Sequence, residues 1–260
     1  MLKHHEKRDL ELLTRAILKK IGGCMPTTKQ EAVEIIEGLC REQVTLPAGT
    51  VVVAQDGNYS DVYLMESGWA LRSRHLEDGS RQIVNTVMPG DFLAFNAILF
   101  ARSDFELQCK TDVDAYRIAS SDLSNALGRD ASLSALLFWI NGQEESMLSE
   151  RIVSLGRRSA RKRTAHVLCE LIARLEIITG PKGSSFSVPL SQDDFADILG
   201  ISVVHMNKTL RYLTKDGVIT FRNSKLTVLN RSSLEHEAGF DDGYLHFTRR
   251  DDWHSNQLIA

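Results

Sequence analysis

The chain has few cysteines, and their spacing does not suit a metal centre. Its 260 residues include 4 cysteines, Cys24, Cys40, Cys109 and Cys169, and no two of them form a C-x-x-C pair. No histidine lies at zinc-ligand spacing from them. We therefore expect no metal site and no iron–sulfur cluster, and isolated buried thiols are the ordinary state of such cysteines.

Long apolar runs are also missing. None approaches the ~18–20 residues that cross a bilayer, and residues 1–8 lack the apolar stretch of a secretory signal. We expect a cytoplasmic protein with no membrane partner. A hydrophobic fraction of 43% and a charged fraction of 25% are typical of a globular protein. The length suits one large domain or two smaller ones.

The sequence also lacks catalytic patterns. His75 is the only histidine in the β-rich segment at residues 46–120, whereas jelly-roll metalloenzymes need several histidine and carboxylate ligands on neighbouring strands. No Ser/His/Asp or Cys/His arrangement has a supporting motif, and no Gly-rich loop would hold a phosphate. We therefore do not expect an enzyme.

The net charge of -3 conceals an uneven distribution. Residues 157–231 hold 13 Lys and Arg against 6 Asp and Glu. Residues 1–156 hold 16 against 22, and residues 232–260 hold 2 against 6. A basic segment beside acidic ones favours a polyanionic partner at the basic segment alone.

Residues 188–230 predict two short helices joined by a tight turn and followed by a two-stranded hairpin. Ser191 and Asp194 have the spacing of a capping box, Gly200 can end the first helix in the left-handed conformation, and Ser202 can cap the second. Helical spacing places six apolar side chains on the inner faces: Phe195, Ile198, Leu199, Met206, Leu210 and Leu213.

The outer face of the second helix is short, polar and basic at one end. It carries Val204, His205, Asn207, Lys208 and Arg211. A helix-turn-helix places such a face in the DNA major groove, where Asn pairs with adenine, Lys reaches guanine and Val touches a thymine methyl. Arg211 lies further along and suits a phosphate. The alternatives are a helical hairpin with an ordinary solvated face and, for His205, a structural role.

Further basic or capping positions suit the DNA backbone. Residues 218–221 and 226–229 are β-rich and flank a basic tip, which predicts a hairpin wing. Residues 157–163 carry five positive charges, and a phosphate contact and a solvated face are equally open interpretations. The expected backbone contacts are Ser191, Ser202, Arg161, Lys162, Arg222 and Lys225.

The N-terminal half changes from helical to strand periodicity. Residues 6–21 and 28–39 have amphipathic helical patterns, and short β-rich runs follow from residue 46. They predict a sandwich, barrel or jelly roll, which serves either as a ligand pocket or as a scaffold. The runs are 51–53, 62–65, 70–74, 83–87, 107–111 and 115–118.

Residues 121–155 return to a helical pattern. Leu133, Ile140 and Met147 are seven apart, with Leu137 alongside, in a partial heptad seam that Glu144 and Arg151 interrupt. Such a stripe packs either on its own roll or against a second copy, and pairing is favoured because a helix-turn-helix usually reads DNA as a dimer. Gly156 is the expected hinge before a helix at 160–178, and the acidic tail receives no role. The predicted domains are N-terminal helices 1–45, β-roll 46–120, dimerisation helix 121–156, winged helix-turn-helix 157–232 and tail 233–260.

The order of these parts resembles the CRP/FNR superfamily of bacterial transcription regulators. The resemblance is sharpest at L-S-x-x-D-x-A-x-x-L-G-x-S-x-x-H-x-N-K-T-L within 188–230, and the Gly-Asp-Phe turn at 90–92 also fits. It implies an α+β fold with an N-terminal cyclic-nucleotide-binding-like jelly roll, a long dimerisation helix and a C-terminal winged helix-turn-helix. It also implies a homodimer on a palindromic operator in double-stranded DNA, with RNA polymerase as a further partner. The base-reading positions of the family fall on Val203, Val204, His205 and Lys208, with Asn207 beside them.

The chain departs from the family's recognition helix at its start. The best-known members have Arg and Glu where this chain has Val203 and Val204. The operator sequence therefore does not transfer. A ligand sensor that acts through protein contacts, without specific DNA binding, is the alternative function.

The sensor half departs further. Ala94-Phe95-Asn96 stands where cyclic-nucleotide binders place a ribose-binding Glu, and Arg102-Ser103 comes early and precedes Asp104. We therefore expect no tight cyclic AMP binding. Cys24 and Cys40 alone do not supply the cysteine cluster of the oxygen-sensing branch. The effector, and whether one exists, stays unknown.

Overall fold

A computed structural model describes residues 29–180 and 183–245. The helical pattern at 6–21 and Cys24 lie outside the described residues. The chain forms two compact units, and each is described by itself. Within the described ranges, the first unit comprises residues 29–75 and 86–144, and the second comprises residues 76–85 and 145–245.

The first unit is a β-roll flanked by helices, as the strand-rich pattern predicts. The strand Arg81–Val87 begins in the second unit and ends in the first, and the helix Ala131–Arg157 runs from the first unit into the second. The elements are α1 Lys29–Leu39, β1 Glu42–Leu46, β2 Val51–Val53, β3 Asp61–Ser67, β4 Ala70–His75, β5 Arg81–Val87, β6 Phe92–Leu93, a 3₁₀ turn Phe95–Ile98, β7 Glu106–Cys109, β8 Val113–Ala119, α2 Ser120–Leu127 and α3 Ala131–Arg157.

Two four-stranded sheets form the roll, in the orders β1-β8-β3-β6 and β2-β7-β4-β5. Successive side chains of a strand alternate between the two faces of its sheet. The strands of the roll therefore bury one face, and the buried side chains include Leu64, Leu107 and Ile118. Each of the six predicted β-rich runs overlaps a strand, which confirms that prediction. The pattern did not predict β1, a largely exposed edge strand that is polar at its start.

The single helix expected at 121–155 is two helices. The interruption lies between α2 and α3, where Asp130 Oδ1 accepts a hydrogen bond from the Leu133 N–H at 2.7 Å and so caps a new helix. The prediction of a hinge at Gly156 is wrong, since this residue lies inside α3. The chain leaves the helix at residues 158–159, where Ser159 accepts a hydrogen bond from the Lys162 N–H and caps the next helix.

The predicted heptad seam of α3 faces its own chain. Leu133, Leu137 and Ile140 pack in the core of the first unit, and Met147 packs against Ala173 in the second. The prediction that this seam pairs with a second copy is therefore wrong. Heptad spacing identifies an apolar helix face, but it does not say which surface covers that face.

The second unit contains helices around a small sheet in the order β10-β11-β9. Helix α7 (Arg231–Ala238) lies where a tail was expected. Its Leu234 and Ala238 are buried, and it packs on α4 (Ala160–Thr179). The described residues after 232 thus belong to the core of this unit. The elements are α4 Ala160–Thr179, β9 Ser185–Ser187, α5 Gln192–Leu199, α6 Val203–Lys215, β10 Ile219–Arg222, β11 Lys225–Val228, α7 Arg231–Ala238 and a 3₁₀ turn Gly243–Leu245.

Candidate nucleic-acid interface

Helices α5 and α6 form the helix-turn-helix that the sequence predicts, with each expected cap present. The Ser191 hydroxyl accepts a hydrogen bond from the Asp194 N–H at 3.1 Å, and the Asp194 carboxylate accepts one from the Ser191 N–H at 2.8 Å. Gly200 ends α5 with φ of 60°, and the Ser202 hydroxyl accepts a hydrogen bond from the His205 N–H at 3.3 Å. These bonds satisfy backbone groups that helix ends leave without partners.

The inner faces of both helices are apolar and buried, which confirms the predicted core. Burial of each such side chain stabilises the unit by about 1.5–3 kcal/mol. The register of α6 is therefore fixed, and the same register decides which side chains face outward. The buried residues are Phe195, Ile198, Leu199, Met206, Leu210 and Leu213.

The outward face of α6 presents four of the predicted residues. Val204, at the first turn, is 79% exposed. His205, Lys208 and Arg211 are also exposed. An apolar side chain, an imidazole and two cations thus lie along one side of a helix whose opposite side is buried.

Val203 and Asn207 are placed differently from the other four. Both are half-buried, and the Asn207 amide nitrogen donates a hydrogen bond to the Val203 carbonyl at 3.1 Å. An adenine contact by Asn207 would require that this bond open. The sequence alone did not separate these two positions from their exposed neighbours.

Tyr212 is a residue of this face that the sequence analysis missed. It is exposed, and the Lys208 Nζ lies 5.9 Å from the centroid of its ring. The two residues are four apart on one helix, so they are neighbours on its surface. A Lys followed four residues later by an aromatic residue was the available signal, since an aromatic ring attracts an ammonium group over its face.

The predicted wing is present and is anchored to α5. Arg222 and Lys225 are partners across the β10–β11 hairpin, and both are exposed. Asn223 and Ser224 between them have φ of 48° and 59°, as a two-residue hairpin turn requires. The Phe221 ring packs edge-on against the Phe195 ring at 5.6 Å. The basic tip therefore projects from a fixed base.

The basic run at 157–163 is largely engaged within the second unit. Arg161 forms ion pairs with Asp216 at 2.9 Å and Glu237 at 2.8 Å. The hydrogen bonds that Arg161 donates to Glu237 and Asp216 raise its pKa. Arg158 pairs with Glu150, and Arg163 Nη1 donates to the Leu199 carbonyl at 2.9 Å. Lys162, by contrast, is exposed.

In the β-roll, Arg102 and Ser103 do not form a clamp for a cyclic phosphate. Arg102 directs its Nε and Nη2 to the Asp56 carbonyl at 3.0 and 2.9 Å. The buried Ser103 hydroxyl donates to the Phe105 carbonyl at 2.8 Å. Ala94, in place of a ribose-binding carboxylate, is buried. These side chains do not fit a cyclic nucleotide in the manner that the family resemblance implies.

The described thiols are buried and have little tendency to ionise. Burial raises the pKa of Cys40 to about 12, that of Cys109 to about 11 and that of Cys169 to about 12. Within residues 29–180 and 183–245, no three His, Cys, Asp or Glu side chains are grouped so that they could hold a metal ion. Across the same ranges, no helix is both long enough and apolar enough to cross a bilayer.

A capped helix-turn-helix with an exposed basic second helix and a β-hairpin behind it defines a winged-helix DNA-binding domain. Residues 162–237 match the Crp-like helix-turn-helix domain, and residues 43–130 match the cyclic nucleotide-binding domain. The chain is a DNA-binding transcription regulator of the CRP/FNR type.

Known relatives are regulators of the same kind. The chain is 28% identical over 184 residues to the nitrogen fixation regulation protein FixK of Azorhizobium caulinodans, covering 70% of this chain and 73% of FixK. It is 26% identical over 204 residues to the transcriptional activator protein FnrL of Cereibacter sphaeroides, covering 76% and 81%. The structure of FixK2 from Bradyrhizobium japonicum superposes with a TM-score of 0.69 at 22% identity, covering 77% of this chain and 98% of FixK2.

Proposed function

We propose that the chain binds a palindromic operator as a homodimer and reads each half-site with the first two turns of α6. The observation that carries this proposal is the outward set Val204, His205 and Lys208 above a buried apolar underside. Two recognition helices of a dimer meet successive major grooves about 34 Å apart, so the half-sites should lie ~10–10.5 bp apart, centre to centre.

Each outward residue suits a distinct DNA contact. Lys208 can donate to guanine O6 or N7, and Val204 can pack on a thymine methyl. His205 lies between them and can donate to a base edge or a phosphate. Arg211, one turn beyond Lys208, suits a phosphate, as do Arg222 and Lys225 on the wing. Ser191 and Ser202 remain proposed backbone contacts, although both hydroxyls also cap helices.

The homodimer is supported by a second apolar stripe on α3. Phe138 and Ile152 are each 70% exposed, and Val153 is also exposed. Phe138 and Ile152 are two heptads apart and so lie on one side of the helix. A second copy of α3 would cover this stripe and bring two DNA-binding units together. We propose this stripe as the dimer seam in place of Leu133, Ile140 and Met147.

The effector is a separate matter from the DNA contacts. The bonds of Arg102 to the Asp56 carbonyl and of Ser103 to the Phe105 carbonyl support the proposal that cyclic AMP is not a physiological ligand. Titration calorimetry should show no binding at micromolar cyclic AMP. We further propose action in the cytoplasm, where DNA and RNA polymerase are available as partners.

Selection of bound DNA from a random pool tests the proposed function. Wild-type protein should enrich a palindrome. Lys208→Ala should weaken binding to it by about 1–3 kcal/mol, which is the value of one good base contact, and should relax the preference at one position in each half-site. Lys215→Ala removes an exposed lysine from the last turn of the same helix and is the matched control. An unchanged affinity and base preference for Lys208→Ala would reject this placement of α6.

A further inference from the structure

The start of β5 contacts the first helix of the helix-turn-helix. Residues 76–85 belong to the second unit together with α5. Arg81 Nε donates to Asp197 Oδ2 at 2.7 Å, and its Nη2 donates to Asp194 Oδ1 at 3.0 Å. The side chains of Arg81, Asp194 and Asp197 are 24%, 3% and 29% exposed. One guanidinium thus holds two carboxylates in a largely desolvated site.

Gln82 extends this contact to the end of the same helix. Its amide nitrogen donates to the Asp197 carbonyl at 2.6 Å and to the Ile198 carbonyl at 3.3 Å. The last carbonyls of a helix have no intrahelical partner, so Gln82 satisfies groups that would otherwise need water. Arg163 does the same for the next carbonyl, that of Leu199. Residues outside the helix-turn-helix therefore fix α5 at two places, at the carboxylates of Asp194 and Asp197 and at the carbonyls of its C-terminal end.

The charges of α5 give this contact a consequence for DNA. The helix carries Asp193, Asp194 and Asp197 and no Lys or Arg. The first helix of a helix-turn-helix crosses the DNA backbone, where uncompensated carboxylates repel phosphates. Arg81 bonds two of the three carboxylates, and its single positive charge offsets one of the three negative charges. Although burial lowers the pKa of Arg81, its bonds to Asp197 and Asp194 outweigh that effect and raise it, so the guanidinium stays charged.

We propose that Arg81 is a positioning residue for DNA binding, which fixes α5 through Asp194 and Asp197 and offsets part of their charge beside the DNA backbone. The inference rests on the proposed function, because it assigns α5 and α6 to the DNA-facing side. The DNA-binding site thereby depends on the first residue of strand β5, more than a hundred residues earlier in the chain and outside the region that matches the Crp-like domain.

The test compares arginine variants of the full chain on the selected operator. Arg81→Ala should raise the Kd roughly tenfold, because it leaves a buried carboxylate pair without its cation. Arg81→Lys keeps the charge but loses the two-pronged geometry, so its Kd should lie between those of wild type and Arg81→Ala. Arg74 lies on the same hairpin, in β4, and forms an exposed ion pair with Asp104. Arg74→Ala removes the same charge as Arg81→Ala, but its Kd should stay within about twofold of wild type.

A double-mutant cycle separates charge compensation from simple loss of structure. In Arg81→Ala/Asp197→Asn one uncompensated carboxylate is gone, so the Kd should recover most of the way toward that of Asp197→Asn alone. Hydrogen exchange of the amides at 192–199 should be faster in Arg81→Ala than in Arg74→Ala. A merely structural role would make the double variant as weak as Arg81→Ala or weaker.

Two results would overturn the inference. One is a Kd for Arg81→Ala that equals that of Arg74→Ala or is lower than that of wild type. The other is additive losses in the cycle. If Lys208→Ala weakens binding as expected while Arg81→Ala does not, only the role of Arg81 is rejected. If Lys208→Ala has no effect, the proposal that α6 reads DNA is rejected, and the role of Arg81 that rests on it is rejected as well.

Discussion

Phe138 and Ile152 lie fourteen residues apart on α3, and each exposes 70% of its surface. If a second copy of α3 covers them, replacing either by serine should favour the monomer, since an apolar contact is lost from each side of a symmetric interface. We expect Phe138→Ser/Ile152→Ser to halve the mass in sedimentation equilibrium at micromolar concentration and to abolish tight operator binding.

Leu99→Ser is the control for this prediction. Leu99 is similarly exposed but lies after the 3₁₀ turn Phe95–Ile98 rather than on α3. Its replacement should leave the mass unchanged. A dimer that persists in the double serine variant at micromolar concentration would exclude this stripe as the interface.

Ser191 and Asp194 form the capping box of α5, and its loss should cost stability. Ser191→Ala removes the acceptor of the Asp194 N–H, so the free energy of unfolding should fall by about 1 kcal/mol. Ser232→Ala, at an exposed serine of α7, should change it by less than ~0.5 kcal/mol. Urea denaturation measures both values. Equal stability of the two variants would contradict a stabilising cap.

The capping box was predictable because its partners are three residues apart. The same is true of Gly200, Ser202 and the apolar spacing of Met206 and Leu210: local rules fix them, and the structure confirms them. These rules were enough to give the helix-turn-helix, its wing and four residues of the outward face of α6.

Contacts between distant segments could not be predicted in this way. The apolar spacing of Leu133 and Met147 was seen, but the surfaces that cover them come from other parts of the chain. In the sequence Arg161 is one charge in a basic run, and only the structure shows that it pairs with Asp216 and Glu237. Arg81 gave no signal at all, because its partners on α5 lie more than a hundred residues away.

His166 should make the stability of the second unit depend on pH. Its ring is buried, its Nε2 lies 3.1 Å from Glu150 Oε1, and Tyr244 stacks on it. Burial lowers the pKa of His166, and the charge of Arg158 lowers it further, against the opposing effect of Glu170 and Glu150. The unfolded chain therefore takes up this proton first as the pH falls. The contribution to stability is complete above the unfolded pKa of about 6.5 and declines below it.

Replacement of this histidine should flatten the pH dependence. Between pH 8 and pH 6 the Tm of wild type should fall, and that of His166→Gln should fall less, because glutamine does not titrate. His236→Gln, at an exposed histidine of α7, should retain the wild-type slope. Scanning calorimetry at several pH values measures the slopes. Identical slopes for wild type and His166→Gln would contradict the prediction.

Tyr212 should support Lys208 through its ring. Because the ammonium lies over the aromatic face, Tyr212→Phe should keep the wild-type affinity for the operator. Tyr212→Leu should raise the Kd about two- to fivefold, as expected for an exposed cation–π contact. Fluorescence anisotropy at one salt concentration measures this. Equal affinities of the Phe and Leu variants would show that the ring does not act through Lys208.

The salt dependence of binding should distinguish the wing from the basic run. Arg222 and Lys225 are exposed at the hairpin tip, so replacing either by alanine should reduce the slope of log Kd against log salt by about one. Arg161 is also an expected backbone contact, but its charge is already paired with Asp216 and Glu237. Arg161→Ala should therefore leave the slope nearly unchanged while lowering the free energy of unfolding. A slope reduced as much by Arg161→Ala as by Lys225→Ala would mean that these ion pairs open when DNA binds.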